Sequence, residues 1–286
     1  MPTLRVQTVV ITGVSTGIGF AAAGTLASRG WRVYGSVRTA GDADRLRAVL
    51  GGNFTPLVFD VTDEDAVRGA ADWLRAELHG TPLQALINNA GIAVVGPVSH
   101  VPLARWREQL EVNVLGVVAV IQAFLPLMRT DPLRRVDRPC IINVSSVAGR
   151  MAMPFAGPYC ASKFALEGLS DSLRRELMLF GIDVVLVEPG PIVTPIWEKA
   201  EARILEDYPG TPYQKGLEGF HRLSMKEAAT GYGAEVVAKA VARILRARRR
   251  PARMVITPKR LTNWTIPRRL PAKFLDFCIG KVVGLI

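Results

Sequence analysis

Short runs of β-branched and other apolar residues alternate along this chain with longer segments whose apolar residues recur every three or four positions. Continuous apolar runs such as Val-Val-Ile and Val-Val-Leu-Val are typical of strands buried on both faces, as in a parallel sheet. The candidate strands are residues 6–12, 32–37, 54–59, 85–88, 139–145, 183–188 and 253–256. The candidate helices are residues 17–29, 42–50, 63–79, 103–129, 157–180 and 233–248.

This alternation predicts an α/β fold: a Rossmann-type, doubly wound sheet of seven parallel strands with helices on both faces. An eight-stranded barrel would need one more unit. Nearly half of the 286 residues are apolar, enough for a substantial core. No internal repeat or low-complexity linker divides the chain. We therefore expect a single domain over residues 1–258, followed by a basic, apolar tail over residues 259–286.

One segment, residues 112–128, is almost apolar enough to span a membrane. Asn113 and Gln122 interrupt it, and Pro126 lies near its end. A buried or dimer-forming helix is the favoured interpretation.

Residues 191–232 break the alternation and carry several aromatic side chains. A long insertion at the carboxyl edge of a sheet is where a substrate lid is expected. The alternative is a surface excursion that packs its own aromatic residues. The aromatic residues are Trp197, Tyr208, Tyr213, Phe220 and Tyr232.

A glycine-rich loop joins the first strand to the first helix. Glycine lets the backbone turn tightly and approach a pyrophosphate, which then rests on the positive N-terminus of the helix. The spacing Gly-x-x-x-Gly-x-Gly differs from that of the commonest dinucleotide fold, but its place between a strand and a helix favours a dinucleotide cofactor. The candidate binding residues are Gly13, Ser15, Thr16, Gly17, Ile18 and Gly19.

The end of the second strand lacks the acidic residue that would hold a ribose 2′-hydroxyl, and Arg38 follows Val37 there. A guanidinium at this place can pair with a 2′-phosphate, so NADP(H) is favoured over NAD(H). An exposed loop charge is the alternative for Arg38. Asp60, with Val61 beside it, is a candidate for contact with the adenine, or else a loop acid near a helix start.

Further landmarks then follow one another in order, and together they resemble the short-chain dehydrogenase/reductase family over residues 6–257. They are Asn88-Asn89-Ala90-Gly91, Asn113, Ser145, Tyr159-x-x-x-Lys163 and Pro189-Gly190-x-x-x-Thr194. Any one of these residues has a structural explanation: a helix aromatic, a surface cation, a strand-end hydroxyl or a buried amide. Their occurrence together favours an enzyme.

The pair Tyr159 and Lys163 suits proton transfer. A free tyrosine has a pKa of about 10, too high for easy proton exchange near neutrality. Lys163 lies four residues on, on the same face of a helix, and its charge would favour the phenolate. Tyr159 would then act as general acid in reduction and general base in oxidation.

The resemblance implies roles for the remaining landmarks. Ser145 would hydrogen-bond the substrate oxygen, Lys163 would also hold the nicotinamide ribose, and Asn113 would position a water in the proton relay. Pro189 and Gly190 would shape the turn beneath the nicotinamide. The cofactor contacts implied outside the glycine loop are Arg38, Asp60, Val61, Asn89, Ala90, Gly91, Tyr159, Lys163, Pro189, Gly190, Ile192 and Thr194.

The loops that follow Gly91 and Ser145 are apolar, which predicts a lipophilic alcohol or ketone as substrate. In three segments, residues 12–19, residues 33–38 and Phe220-His221-Arg222, the chain resembles the branch of the family that contains 17β-hydroxysteroid and retinol dehydrogenases. A steroid is the first expectation and a retinoid-like or other long-chain alcohol the second. The candidate substrate contacts are Val95, Val147, Met153 and His221. His221 would bond the far end of a steroid, or is incidental to the lid.

The charge is concentrated near the C-terminus. Residues 243–286 hold twelve Lys and Arg and one acid, Asp276, so they carry the whole formal charge of +11. Apolar residues of 271–286 interleave with Lys273 and Lys281, a pattern typical of a helix on an anionic membrane. The alternatives are a solvated basic tail, or packing over the substrate mouth or a dimer partner. No base-reading motif accompanies the charge, so no nucleic acid partner is expected.

The remaining features narrow the class of protein. Three widely spaced cysteines argue against a disulfide framework or a zinc site, and no metal is expected. The first strand begins too early for a secretory signal, so we expect a cytoplasmic protein with possible peripheral membrane contact. Family resemblance implies a homo-oligomer, dimer or tetramer. A nucleotide-binding regulator without catalysis is the rival function, which the complete set of catalytic residue types disfavours.

Overall fold

In the computed structural model, which describes residues 7–128, 138–202 and 204–286, seven parallel strands form one sheet. Two further two-residue strands pair with each other outside it. In chain order the strands are β1 Thr8–Ile11, β2 Arg32–Val37, β3 Phe54–Val58, β4 Ala85–Asn88, β5 Cys140–Val144, β6 Asp183–Pro189, β7 Ile192–Val193, β8 Tyr232–Gly233 and β9 Arg253–Ile256. The predicted Rossmann-type sheet is confirmed, with bounds shifted by up to two residues at strand ends; Val6 lies outside the described residues.

The spatial order of the large sheet is β3-β2-β1-β4-β5-β6-β9. From β1 the chain first winds outward through β2 to β3 and then returns to place β4 on the other side of β1. In such doubly wound sheets the ligand crevice opens at the carboxyl ends of the strands, where the winding direction reverses. The candidate residues at the ends of β1, β4 and β5 therefore meet at one place.

Ten α-helices accompany the sheet among the described residues. They are α1 Gly17–Ala27, α2 Ala40–Leu50, α3 Glu64–Glu77, α4 Leu103–Leu110, α5 Gly116–Met128, α6 Gly157–Glu176, α7 Pro195–Glu201, α8 Gln214–Thr230, α9 Ala234–Arg246 and α10 Ala272–Val283. A turn of π-helix, Glu111–Leu115, joins α4 to α5 into one continuous helix. The last residue of the predicted helix 103–129 lies outside the described residues.

Two apolar cores cover the two faces of the sheet. Alternate residues of each strand point to opposite faces. Val9 and Ile11 accordingly join the core shared with α1, α2 and α9, whereas Val10 joins the core shared with α3, α5 and α6. Burial of each such side chain stabilises the fold by about 1.5–3 kcal/mol. The continuous apolar runs of the sequence thus supply both cores at once.

By length and composition, one helix among the described residues, Leu103–Met128, is apolar enough to cross a bilayer. Much of its apolar surface is used inside the domain, since Val120, Phe124 and Met128 are fully buried in the second core. This packing agrees with the expected buried helix.

The insertion 191–232 contains two helices that the sequence pattern did not reveal, α7 and α8. Their aromatic residues form a third core above the sheet. The rings of Tyr213 and Phe220 lie 6.1 and 6.0 Å from that of Phe155, edge to face. Such pairs add about 0.5–1.5 kcal/mol each beyond the area that they bury.

The tail packs on the domain. Val283 of α10 is fully buried, and its backbone lies against Gly219 of α8 so closely that a Cβ on Gly219 would come within 2.1 Å of the Val283 carbonyl oxygen. Trp264, in a π-helical turn before α10, is also buried, and the Arg268 guanidinium lies 4.7 Å from its ring centroid. The outward side of α10 nevertheless remains exposed.

Candidate active site

A cleft of about 460 Å³ opens at the carboxyl ends of the strands. One end is formed by the glycine loop and the ends of β2, β3 and β4, and the other by α7 and α8. All but one of the predicted cofactor residues line it. They are Gly13, Ser15, Thr16, Gly17, Ile18, Arg38, Asp60, Val61, Asn89, Ala90, Gly91, Tyr159, Lys163, Pro189, Gly190, Ile192 and Thr194.

The exception, Gly19, has a packing role. A Cβ at this position would meet the Gly13 carbonyl oxygen at 2.2 Å and the Asn89 side-chain Nδ2 at 2.5 Å. Gly13 and Gly17 adopt φ of +69° and +60°, in the left-handed region that favours glycine. The loop can therefore turn closely enough to expose the N-terminus of α1 to the cleft.

Neighbouring strand ends hold this loop in place. The Gly13 amide donates to Ser36 Oγ at 2.9 Å. The Asn89 side-chain nitrogen donates to the carbonyl oxygens of Thr12 and Gly13 at 3.0 and 2.9 Å, and the backbone amides of Asn89 and Ala90 share Thr12 Oγ1. Asn89 thus positions the glycine loop from behind as well as lining the cleft.

The two residues predicted at the adenosine end line the cleft beyond β2 and β3. Arg38 is exposed, in the segment before α2. Asp60 Oδ1 accepts hydrogen bonds from the backbone and hydroxyl of Thr62, at 3.0 and 2.9 Å. A second cation, Arg45 on α2, donates to the Ser15 carbonyl oxygen at 3.0 Å and ties α2 to the glycine loop.

At the centre of the cleft, α6 places Tyr159 and Lys163 one turn apart, and both are buried. Lys163 Nζ lies 5.8 Å from the Tyr159 ring centroid and donates to the Val144 carbonyl oxygen at 2.9 Å. Burial raises the Tyr159 pKa to about 12, partly opposed by a hydrogen bond with Ser146. Burial also lowers the Lys163 pKa to about 8, partly opposed by the Glu167 carboxylate. Low-dielectric surroundings disfavour both charged forms.

The two serines that follow β5 face different neighbours. The Ser146 hydroxyl donates to the Pro189 carbonyl oxygen at 3.4 Å, accepts from the Ala148 amide at 3.1 Å, and lies close enough to the Tyr159 phenol to lower its pKa. Ser145, which the sequence singled out, is buried beside Gly149, and its hydroxyl has no hydrogen-bond partner among the described residues. Because successive side chains at a strand end point to opposite sides, only one of two adjacent serines can face the phenol. The sequence shows two adjacent serines, but their spacing from Tyr159 alone did not indicate which of the two faces the phenol.

Asn113 lies in the π-helical turn behind the cleft and does not line it. Its side chain exchanges two hydrogen bonds with the backbone of Ile92, at 2.9 and 3.0 Å, and donates to Ser162 Oγ at 3.1 Å. It therefore joins the segment after β4 to the catalytic helix. Inserted π-turns of this kind are frequent at functional sites.

The predicted substrate contacts divide into two groups. Val147 and Met153 line the cleft. Val95 does not: it is buried in the third core, and its carbonyl oxygen accepts the Tyr208 hydroxyl at 3.3 Å. His221 also lies off the cleft, with Nδ1 2.9 Å from Glu201 Oε2, because the insertion is helical and turns this side chain toward α7.

Other lid residues line the cleft instead, and only their place in the insertion marked them in the sequence. Trp197 packs edge to face on Tyr159, with centroids 5.1 Å apart. Phe220 and Leu223 extend this apolar wall, and Lys199 and Glu227 bring one charge of each sign. Burial and the neighbouring Glu201 raise the pKa of the Glu227 carboxyl.

A buried charged cluster supports the catalytic helix from the side of β6. Glu188 is fully buried, with Arg253 Nε 3.4 Å and Arg150 Nη1 3.9 Å from its carboxylate. Arg253 also bonds Glu167 at 3.0 Å and Asp171 at 2.8 Å, both on α6. Burial and the Glu167 charge raise the Glu188 pKa to about 7, despite the arginines.

No cluster of three or more His, Cys, Asp or Glu is placed to hold a metal ion within residues 7–128, 138–202 and 204–286.

Known proteins are similar to this chain in sequence and in fold. A family model described as short chain dehydrogenase matches residues 7–204. The chain is 38% identical over 272 residues to an NADPH-dependent 3-dehydrocapnine reductase of Ornithobacterium rhinotracheale, covering 93% of this chain and 94% of that one. It is 36% identical to human retinol dehydrogenase 16 over 82% of this chain and 69% of that one.

Among solved structures, a short-chain dehydrogenase/reductase from Burkholderia phymatum in complex with NAD superposes with a TM-score of 0.77 at 26% identity, covering 97% of this chain and 96% of that one. A short-chain dehydrogenase from Streptomyces avermitilis gives 0.76 at 25% identity, with 99% and 96% coverage. The matched length, the sheet order and the buried tyrosine–lysine pair lead to one conclusion. This chain belongs to the short-chain dehydrogenase/reductase family, and it is an oxidoreductase that acts on CH–OH donors with a nicotinamide cofactor.

Proposed function

We propose that this protein is an NADP(H)-dependent oxidoreductase that interconverts a lipophilic ketone and its secondary alcohol. The observation that carries the proposal is the buried pair Tyr159 and Lys163, which lies between a nucleotide-binding loop and an apolar lid within one cleft. Burial disfavours the charged forms of this tyrosine and lysine. Such a cost is typical of catalytic groups, and a protein that only binds a nucleotide does not require it.

The cleft fits a nicotinamide dinucleotide. Its glycine turns expose the N-terminus of α1 to a pyrophosphate, and the turn itself requires glycine, because a Cβ on Gly13 would meet the Ala90 Cα at 2.8 Å. Arg38 would pair with the 2′-phosphate that distinguishes NADP(H) from NAD(H). The Ornithobacterium relative, an NADPH-dependent reductase, supports this preference, whereas the Burkholderia structure contains NAD.

Bound nicotinamide supplies the hydride in reduction or accepts it in oxidation. The Ser146 hydroxyl and the Tyr159 phenol hold the substrate oxygen. In reduction Tyr159 gives its proton to that oxygen, and in oxidation it takes the proton back. The Lys163 ammonium, 5.8 Å from the Tyr159 ring centroid, would stabilise the phenolate that is left and so oppose the effect of burial on the phenol pKa. Asn113 supports this arrangement from behind the cleft, where it joins Ile92 to Ser162 of the catalytic helix.

The substrate class follows from the lid. Trp197, Phe220 and Leu223 provide an apolar wall beside Tyr159, which suits a long-chain or polycyclic ketone. The similar proteins include a 3-dehydrocapnine reductase and retinol dehydrogenases, which favours a long-chain ketone or a retinoid over the 17β-hydroxysteroid expected first. Lys199 and Glu227 would face a polar head group.

We also propose a homo-oligomer in the cytoplasm that makes peripheral contact with a membrane. Exposed apolar side chains on helices that pack together, Leu103 and Leu110 on α4 and Phe164 on α6, support self-association. Light scattering coupled to gel filtration measures it, and a monomer at micromolar concentration would contradict it.

The deciding experiment is a screen of long-chain 3-ketones, retinoids and steroids, followed by absorbance of reduced cofactor, with NADPH and NADH compared. Tyr159→Phe serves as the control, because it keeps the ring and removes the proton. We expect turnover to fall about 10³-fold in this variant while NADPH binding is retained. Binding of NADPH without turnover of any ketone by the unaltered protein would instead favour the regulator.

A further inference from the structure

We propose that the outward face of α10 docks the protein on an anionic lipid bilayer, and that α8 carries the substrate cleft next to that surface. The part of this inference that concerns substrate delivery rests on the proposed oxidoreductase activity. Binding of α10 to a bilayer does not depend on that activity.

The outward face of α10 combines aromatic and cationic side chains. Phe274 and Phe277 are 54% and 52% exposed, far more than aromatic residues that serve a core. Lys273 and Lys281 lie on the same side of the helix, and Lys281 Nζ is 5.6 Å from the Phe277 ring centroid. Aromatic rings beside lysines are typical of a helix that lies in the membrane interface, with the rings inserted and the ammonium groups at the headgroups.

Apolar exposure continues on both sides of this face. The C-terminal residues Val282, Leu285 and Ile286 are 64%, 43% and 62% exposed, and Leu261 in the preceding turn is 63% exposed. One apolar side chain on a surface needs no explanation, but a contiguous segment that carries so many indicates a binding site.

The charge of the segment selects the partner. Residues 243–286 carry all of the formal net charge, with one acid against twelve cations. Each lysine or arginine close to an anionic leaflet contributes about a fivefold increase in affinity. A second copy of this chain would bring the same positive charge to the contact, so an anionic bilayer is the better complement.

The inward face of α10 fixes this surface relative to the active site. Val283 packs on Gly219, and the partly exposed Leu285, just beyond the end of α10, packs on Gly216; both glycines lie in the N-terminal half of α8. The cleft is lined by five residues of α8: Phe220, Leu223, Ser224, Glu227 and Ala228. Since α8 has 17 residues, the cleft lies within roughly 25 Å of the docked face. A lipid-dissolved ketone would then leave the bilayer close to the lid.

The test is co-sedimentation of the full chain with vesicles of equimolar phosphatidylglycerol and phosphatidylcholine, compared with pure phosphatidylcholine, without substrate or cofactor. We expect binding to the anionic vesicles that weakens as salt is raised. Phe274→Ser combined with Phe277→Ser should weaken it about thirtyfold. Lys273→Gln combined with Lys281→Gln should weaken it about 25-fold on anionic vesicles alone.

The matched control combines Met178→Ser with Leu179→Ser, which removes two side chains of 69% and 70% exposure from another part of the surface. This variant should bind vesicles as the unaltered protein does. Equal binding to the two vesicle types, or unchanged binding of the phenylalanine variant, would overturn the proposal. So would a phenylalanine variant that changes the oligomeric state and leaves vesicle binding intact, because the face would then be an interface between copies. None of these outcomes depends on whether the ketone reductase activity is found.

Discussion

The two ends of the cleft are built by different means. At the nucleotide end, strand termini and backbone hydrogen bonds hold the parts in place, as where Asn89 grips the carbonyl oxygens of Thr12 and Gly13. At the substrate end, α7 and α8 stand on packed aromatic rings outside the sheet. The first end is fixed by the register of parallel strands. The second depends on side-chain packing, which tolerates exchange of residues of similar volume.

This difference teaches where chemistry and selectivity reside in the molecule. Proton transfer needs atoms held within hydrogen-bonding distance, and the sheet provides that precision. Substrate choice needs only a wall of suitable shape and polarity, which a helical lid can vary without disturbing the sheet. Substitutions at the sheet end should therefore alter turnover by large factors, whereas those in the lid should alter substrate affinity by smaller ones.

The largest effect is expected from the two adjacent serines. Ser146→Ala removes the hydroxyl that meets the Tyr159 phenol, and the rate of ketone reduction should fall about 10²- to 10³-fold, as on loss of one donor to a reacting oxygen. Ser145→Ala is the matched control, because it removes a buried hydroxyl without a partner among the described residues and should change turnover little. Steady-state kcat of the two variants measures the contrast. Equal losses would show that both hydroxyls contribute to the site.

Arg38 offers the next largest contrast, between two cofactors at one site. Arg38→Ala should raise the KM for NADPH about a hundredfold, since two charge-assisted hydrogen bonds to the 2′-phosphate would be lost. The KM for NADH should stay nearly constant. Arg47→Ala is the control, because Arg47 lies on α2, pairs with Asp44 and does not line the cleft. If Arg38→Ala raised the KM for NADPH and the KM for NADH by the same factor, Arg38 would not determine the choice of cofactor.

The pH dependence of stability tests the buried charged cluster around Glu188. Its pKa rises from 4.5 to about 7 because the carboxyl is buried, so the folded state holds this proton more tightly than the unfolded chain does. Stability conferred by the protonated form is therefore present at low pH and declines between about pH 4.5 and pH 7. Glu188→Gln removes that decline.

Between pH 4.5 and pH 8, the free energy of unfolding of Glu188→Gln should gain about 3 kcal/mol on that of the unaltered protein. Urea unfolding of both proteins across this range measures the difference, and other titrating groups cancel in the comparison. A difference independent of pH would mean that Glu188 stays ionised in its pairs with Arg253 and Arg150.

The same division between the two ends explains how far the sequence could be interpreted. Continuous apolar runs and apolar residues recurring every three or four positions reflect burial in and against a parallel sheet, so they predicted the seven strands and most of the helices that cover them. The glycine loop and the Tyr159–Lys163 spacing follow from backbone geometry, so they too could be predicted from the sequence. The structure accordingly brings all but one of the predicted cofactor residues to the cleft.

Where the sequence was insufficient, the missing information was the direction of a side chain. Ser145 and Ser146 differ only in which side of the strand end they face. His221 was assigned to the cleft without knowledge that its segment is a helix that turns it toward Glu201. Likewise α10 could be predicted as amphipathic, but the choice between packing and exposure had no basis before Val283 was seen to be buried and Phe274 exposed. Such questions are decided by tertiary contacts.

The smallest effect is expected in the lid, and it defines the other side of the comparison. Leu223→Ala shortens the apolar wall of the cleft and should raise the KM for a long-chain ketone about fivefold, with kcat almost unchanged, since about 1 kcal/mol of apolar contact is lost equally from bound substrate and transition state. Met225→Ala, two residues on along α8 and 58% exposed, is the control and should leave both constants unchanged. A short water-soluble ketone should show no effect of Leu223→Ala, because it does not reach this wall. If kcat fell instead and KM held, the lid would act on the chemical step, and the separation of chemistry from substrate choice between the two ends would not stand.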